Sequence, residues 1–292
     1  MKVIDKDFNN KGISIILGFF DGIHCGHREV VNQAVNFAAQ NNSMTLLITF
    51  KNSPAEFFKK EFKYIYPREI SYRKIEALGV DYLLELDFAN IINITAEEYL
   101  ENLVKKYEPI SITTGFNHTF GFNKQGNAKL LKDCSSQFGY EYFSIEPCVL
   151  GDELVSSTLI KNKLQKAELV DANKLLGEDF SLKVNIIEGE KLGRELGFPT
   201  ANAKYPNKII KLPYGVYKVS VLNKLAIMNW GVKPTFGKKK ELLEIHIPGF
   251  NGNLYNKELE IKVLDKIRDE KKFASCDELV AQINEDLRCL KL

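Results

Sequence analysis

The hydrophobic rhythm of this 292-residue chain changes near residue 180, and that change constrains its fold more than any other feature. Before it, short apolar runs alternate with helical stretches. ISIILGFF (13–20) reads as a buried strand, and REVVNQAVNFAAQ (28–40) as a helix with Val30, Val31, Ala34, Val35 and Ala38 on one face. MTLLITF (44–50) and VDYLLELDF (80–88) read as strands flanking a helix over 67–79. A helix over 95–108 opens with a Thr95–Glu98 capping box. Strands at 110–115 and 140–147 enclose a helix over 127–139. Strand–helix alternation predicts a parallel sheet covered by helices, with ligands at the carboxyl ends of its strands.

After residue 180 the runs KVNIIEG, GVYKVSVL, KLAIMNWG, LLEIHI and LEIKVLDKI follow one another, separated by Gly, Pro and Asn. Such a series predicts a small antiparallel barrel or sandwich. One helix over 275–290, opened by a Ser275–Glu278 capping box, closes the chain. The stretch 158–178 reads as a helical connector, so the expected domains are 1–175 and 176–292.

Lys and Arg total 40 against 38 Asp and Glu, a net charge of +2 that gives no electrostatic argument for a nucleic-acid partner. Lys238–Lys240 form a short basic run that reads as a solvated loop. No apolar run reaches membrane-spanning length, and the N-terminus lacks the apolar core of a signal peptide. Cys25, Cys134, Cys148, Cys276 and Cys289 are scattered without a C-x-x-C pair, which suggests free thiols and neither a zinc site nor a disulfide framework. The expectation is a cytoplasmic protein.

Two of the four histidines lie in GFFDGIHCGH (18–27), between the first strand and the following helix. A helix start offers unpaired N–H groups and partial positive charge, which favour anions. Gly18, Gly22 and Gly26 would let backbone approach a ligand, and His24 and His27 could donate to phosphate oxygens as charge develops. The alternatives are a polar loop, or a metal site for which no third ligand is evident; Asp21 reads as a turn residue. In VSSTLIKNKL (155–164), Ser156, Ser157, Thr158 and Lys161 either hold an anion or simply cap a helix.

H-x-G-H in this setting resembles the nucleotidylyltransferase superfamily. GRELGFPTAN (193–202), GVY (215–217), NWGVKPTF (229–236) and EIHIPGF (244–250) extend the resemblance to nearly the whole chain. Together the motifs resemble the bacterial bifunctional riboflavin kinase/FAD synthetase family. The resemblance implies a Rossmann-like nucleotidyltransferase α/β domain, then a riboflavin kinase β-barrel with a C-terminal helix. It implies ATP, riboflavin and FMN as substrates and Mg²⁺ as cofactor. His24 and His27 would be catalytic in the first domain, with Gly18, Phe19, Asp21, Gly22, Asn117, Ser156, Ser157, Thr158 and Lys161 around ATP. In the second, Thr200 and Asn202 would serve Mg²⁺, hard oxygens suiting a hard cation. Glu244 would be the base, although its place in the pattern also fits a solvent-facing strand residue. The flap EGEKLGR, with Gly189, Gly193 and Arg194, would cover ATP phosphates or form only a surface hairpin. Arg268 would contact flavin or ADP, and His246 reads as structural.

The first domain departs from the family pattern. Phe50-Lys51-Asn52-Ser53-Pro54 replaces F-x-P-H-P, Lys161 replaces an Arg that could grip phosphate with a planar fork, and His118 replaces an aromatic. In the second, Trp230, Glu188 and Gly249 depart from the pattern, while PTAN, GVY and Glu244 remain. The rival readings are a chain with one of the two activities and a non-catalytic flavin-binding regulator.

Overall fold

The computed structural model describes residues 1–188, 193, 196–235 and 238–290, with side chains of 233–240 left aside. The chain divides into two compact units: Met1–Tyr64 with Arg68–Ser157, and Ile65–Pro67 with Thr158–Leu292. The first contains β1 (Lys2–Ile4), β2 (Ser14–Leu17), α1 (Cys25–Gln40), β3 (Thr45–Phe50), α2 (Pro54–Phe57), α3 (Arg68–Ala77) and β4 (Tyr82–Leu86). There follow α4 (Phe88–Ile91), α5 (Ala96–Tyr107), β5 (Ser111–Gly115), the ribbon β6 (Thr119–Phe120) and β7 (Gly126–Asn127), α6 (Ala128–Phe138), β8 (Glu141–Ile145), and the ribbon β9 (Val149–Leu150) and β10 (Glu153–Leu154).

Strands β1-β4-β3-β2-β5-β8 pair in parallel in that order. β2 is buried along its whole length, because both faces of the sheet are covered. Ile15 and Leu17 join one core with Leu100, Leu103 and Leu131, whereas Ile16 joins another with Val30, Val31 and Ala34. That alternation follows from the two-residue period of a strand. Chain order reverses between β2 and β5, so a topological switch point lies at their carboxyl ends. The predicted Thr95 cap forms, its hydroxyl accepting from Glu98 N at 3.2 Å.

The second unit takes in α7 (Ser157–Gln165) from Thr158 on, then α8 (Leu169–Leu176), β11 (Phe180–Ile187), β12 (Ala201–Ala203), β13 (Gly215–Val221), β14 (Lys224–Thr235), β15 (Lys238–His246), β16 (Glu258–Asp269) and α9 (Cys276–Arg288). Its strands close a barrel in the order β11-β12-β15-β14-β13-β16, through antiparallel pairs. Phe180, Tyr217 and Trp230 are fully buried, and the Trp230 indole N–H donates to Leu212 O at 3.0 Å. Helix α9 packs Leu287 against Val216, Ile227 and Leu290. A two-pronged ion pair from Arg268 to buried Asp286 pins the same helix, with N···O distances of 2.8–3.1 Å.

Three expectations need correction here. The 158–178 connector is two helices, because Ala167 at φ 56° ends α7 and Glu168 N bonds back to Lys163 O at 3.0 Å. Lys238–Lys240 begin β15 and are not a loop. Cys25 and Cys148 are not free thiols: they form a disulfide, with their Cα atoms 6.2 Å apart. Their sequence separation of 123 hid a pairing that only the folded chain creates.

Candidate active sites

The first site forms where β2 turns into α1. Gly22 at φ 94° and Ile23 at φ 46° reverse the chain. A β-branched residue in the left-handed region is strained, and buried Ile23 is held there by the core it joins. This turn delivers His24 as the N-cap of α1, yet its side chain makes no cap hydrogen bond. The rings of His24 and His27 stack instead, with centroids 3.8 Å apart.

Burial, with help from nearby Arg28, pushes the His24 pKa down from 6.5 to about 4. Burial and neighbouring His24 hold His27 well below its ordinary value. Both imidazoles are therefore neutral at neutral pH. Both Nδ1 atoms are buried without a hydrogen-bond partner among the described residues. Polar atoms left so at a helix start fit a ligand that supplies the missing partners.

Other predicted residues collect around this turn. The Ser157 hydroxyl donates to Asp21 O at 2.7 Å, which ties the start of α7 to the turn. Phe19 meets Phe62 edge-on at 5.8 Å and lies 6.3 Å from Tyr64. Gly18 lies against the Phe20 ring, where a Cβ would come within 2.9 Å. Asn117 and His118 follow β5, on the other side of the switch point from the β2 turn. His118 stacks on Phe120 at 5.9 Å, and burial lowers its pKa to about 4. Ser156 precedes α7, whereas Thr158 and Lys161 fall within the second unit.

The departure after β3 is an ordered turn. Ser53 caps α2 by accepting from Ala55 N at 3.3 Å, and Pro54 occupies the first helical turn. Ser53 N donates to the Tyr64 hydroxyl, which donates to Glu56, at 2.8 and 2.7 Å. Burial and then the Glu56 bond raise the Tyr64 pKa to about 12.

The second site lies on adjacent barrel strands. Asn202 of β12 and Asn229 of β14 each stand directly opposite Glu244 of β15. Partners in register share a face, so the three side chains form a row across the sheet. Asn229 Nδ2 donates to Glu244 Oε2 at 3.4 Å. Asn202 Oδ1 is buried without a partner among the described residues. Leading into β12, the Phe198 N–H donates to Gly193 O at 2.7 Å, and a Cβ on Gly193 would lie 2.5 Å from Phe198 O and 3.3 Å from Thr200 Oγ1. His246 Nδ1 donates to Pro199 O at 2.9 Å, giving His246 a structural task in pinning this turn. Gly189 and Arg194 lie outside the described residues. The Arg268 guanidinium is occupied by Asp286 and by Asp269 O.

An orphaned amide oxygen is a hard ligand that fits Mg²⁺ better than a soft transition metal. Among the described residues no cluster of three His, Cys, Asp or Glu could hold a metal ion. Sequence reasoning gave Asn229 and Ile23 no role. Asn229 was findable, because it precedes Trp230 in NWG by one residue and so takes the face opposite that buried ring.

These features define a class: a phosphate-transferring enzyme with a nucleotidyltransferase-type α/β unit and a separate kinase-type barrel. The FAD synthetase family model matches residues 6–159 and the riboflavin kinase family model residues 176–291. The chain belongs to the bifunctional riboflavin kinase/FMN adenylyltransferase family. Both halves are present, which favours two activities over the single-activity reading.

The chain is 34% identical to the bifunctional riboflavin kinase/FMN adenylyltransferase of Buchnera aphidicola from Schizaphis graminum, over 97% of this chain and 94% of that protein. It is 30% identical to the Escherichia coli K12 protein of the same name, over 94% and 91%. A crystal structure described as a macrolide-efflux protein from Streptococcus pneumoniae superposes with a TM-score of 0.88 at 29% identity, covering 99% of this chain and 98% of that one. That description is of the pneumococcal protein. Among this chain's described residues no helix is long and apolar enough to cross a membrane.

Proposed function

We propose that the two reactions use separate residues. FMN adenylylation belongs to residues 1–175 and riboflavin phosphorylation to 176–292; the family models end and begin at 159 and 176, which leaves the linking helices between them. The observation that carries the first assignment is the stacked, neutral His24–His27 pair at the start of α1, whose two Nδ1 atoms have no hydrogen-bond partner among the described residues. An oxygen of the FMN phosphate attacks the α-phosphorus of ATP, the bond to the β-phosphate oxygen breaks, and pyrophosphate leaves. Each neutral imidazole can donate one N–H to the phosphate oxygens while the α1 N–H groups add fixed positive potential. Gly18, Phe19, Asp21, Gly22, Asn117, Ser156 and Ser157 shape the ATP site.

In the barrel, Glu244 takes the proton of the riboflavin 5′-hydroxyl as that oxygen attacks the γ-phosphate of ATP. The Asn202–Glu244–Asn229 row supports this role, since Asn229 restrains the carboxylate. Thr200 and Asn202 would hold Mg²⁺, which would supply charge neutralisation for the nucleotide phosphates. Arg268 serves the flavin end indirectly, by fixing α9 through Asp286. The protein works in the cytoplasm.

The test is a crossed pair of variants. Glu244→Gln stops FMN formation and leaves FAD formation from supplied FMN intact; His27→Ala does the reverse. Loss of both activities in each folded variant contradicts the two-site assignment.

A further inference from the structure

Cys25 and Cys148 stand apart from the residues used above. Cys25 is the first residue of α1, directly between His24 and Gly26-His27. Cys148 follows β8 and leads into the β9–β10 ribbon. Its carbonyl accepts from Val155 N at 2.9 Å, just before Ser156 and Ser157. The Ser157 hydroxyl in turn reaches Asp21 O. The disulfide thus crosslinks the two segments, 18–27 and 148–157, that carry the first unit's phosphate-binding groups. Cys148 Cβ also lies 3.8 Å from where a Cβ on Gly26 would stand, so the bond crosses the first turn of α1.

We propose that Cys25 and Cys148 form a thiol–disulfide modification site that tunes ATP binding for FMN adenylylation, with a low-molecular-weight disulfide as oxidant and a dithiol as reductant. This rests on the assignment of adenylyl transfer to the His24–His27 site. On oxidation, one thiolate attacks the small disulfide and expels one thiol; the second cysteine thiolate then attacks the mixed disulfide and expels the other. The protein S–S bond forms, both cysteine protons go to the released small thiolates, and the small disulfide is reduced by two electrons.

Two effects make the oxidised form the tighter binder. The crosslink removes freedom from the 148–157 segment that binding would otherwise have to remove. Reduction also exposes a thiol at the first position of α1, where the helix terminus favours its thiolate. That anion competes with ATP phosphates for the same N–H groups. Disulfides in the cytoplasm are usually transient or redox-sensing, which is the behaviour this site requires.

The experiment uses the full-length protein equilibrated with glutathione disulfide or with dithiothreitol. Alkylation and peptide mass spectrometry report the state of Cys25 and Cys148, while initial rates of FMN and FAD formation are measured against ATP. The expected result is a several-fold higher ATP KM for FAD formation in the reduced form, reversible on reoxidation, with FMN formation unchanged. Cys25→Ser/Cys148→Ser should abolish that response.

Reduced cysteines throughout glutathione disulfide treatment, or equal KM in two chemically verified states, overturns the switch alone. Normal FMN synthesis with no FAD synthesis in either state overturns the assignment of the first site, and the switch with it.

Discussion

At Gly26, fold and function make opposite demands on one hydrogen atom. A Cβ there would meet His24 Cε1 at 3.4 Å, His24 Nδ1 at 3.5 Å and Cys148 Cβ at 3.8 Å, all ordinary packing distances. Alanine is also the better helix former by about 1 kcal/mol. Gly26→Ala should therefore fold at least as well as the parent, by urea denaturation. Its ATP KM for FAD formation should rise tenfold or more, because the methyl enters the space proposed for the nucleotide. An unchanged KM would place ATP elsewhere.

The same turn sets an acid response. His24 is buried, and its pKa falls from 6.5 to about 4. The unfolded chain takes up a proton below 6.5 that the folded chain refuses until about 4. Stability from this group is intact above 6.5 and is lost as pH falls toward 4, by on the order of 3 kcal/mol. Urea midpoints at neutral pH and in mild acid should show a smaller acid loss in His24→Gln than in the parent. Equal losses would mean that His24 is not held neutral.

At the scale of elements, helix α9 is held by an ion pair as well as by its apolar face. Asp286 is 3% exposed, and three hydrogen bonds join it to Arg268. Removing one partner of such a pair strands the other charge, at a cost of roughly 3 kcal/mol. Asp286→Ala should lower the melting temperature and speed amide exchange across Cys276–Arg288, while Arg288→Ala should do neither. The ends of this helix were legible, because the Ser275 cap and apolar spacing are local. Its anchor was not: Arg268 read as a ligand contact until the fold brought Asp286 to it, 18 residues on. The break between α7 and α8 escaped for another reason. Ala167 is a good helix residue, so nothing in the local pattern announces its left-handed conformation.

At the scale of the whole molecule, the change of rhythm near residue 180 carried the architecture, since periods of two and of 3.6 report burial on sheets and helices directly. H-x-G-H and PTAN stood out as candidate sites because backbone turns that expose polar groups use few residue types. What the rhythm left unseen were relations across the chain, such as the Cys25–Cys148 bond and the Asn202–Glu244–Asn229 row. Strand register and the meeting of distant segments are decided by packing. Substitutions at Asn52 and Ser53 gain meaning only in place, where Ser53 caps α2 and bonds Tyr64.

The most direct test of two working sites in one chain is a product assay with purified protein, ATP and Mg²⁺, started once from riboflavin and once from FMN. Chromatography would separate FMN from FAD. The account predicts FAD from both starting materials, with FMN appearing first when riboflavin is supplied. FMN from riboflavin, with no FAD from either, would contradict it by showing that the first unit does not transfer adenylate.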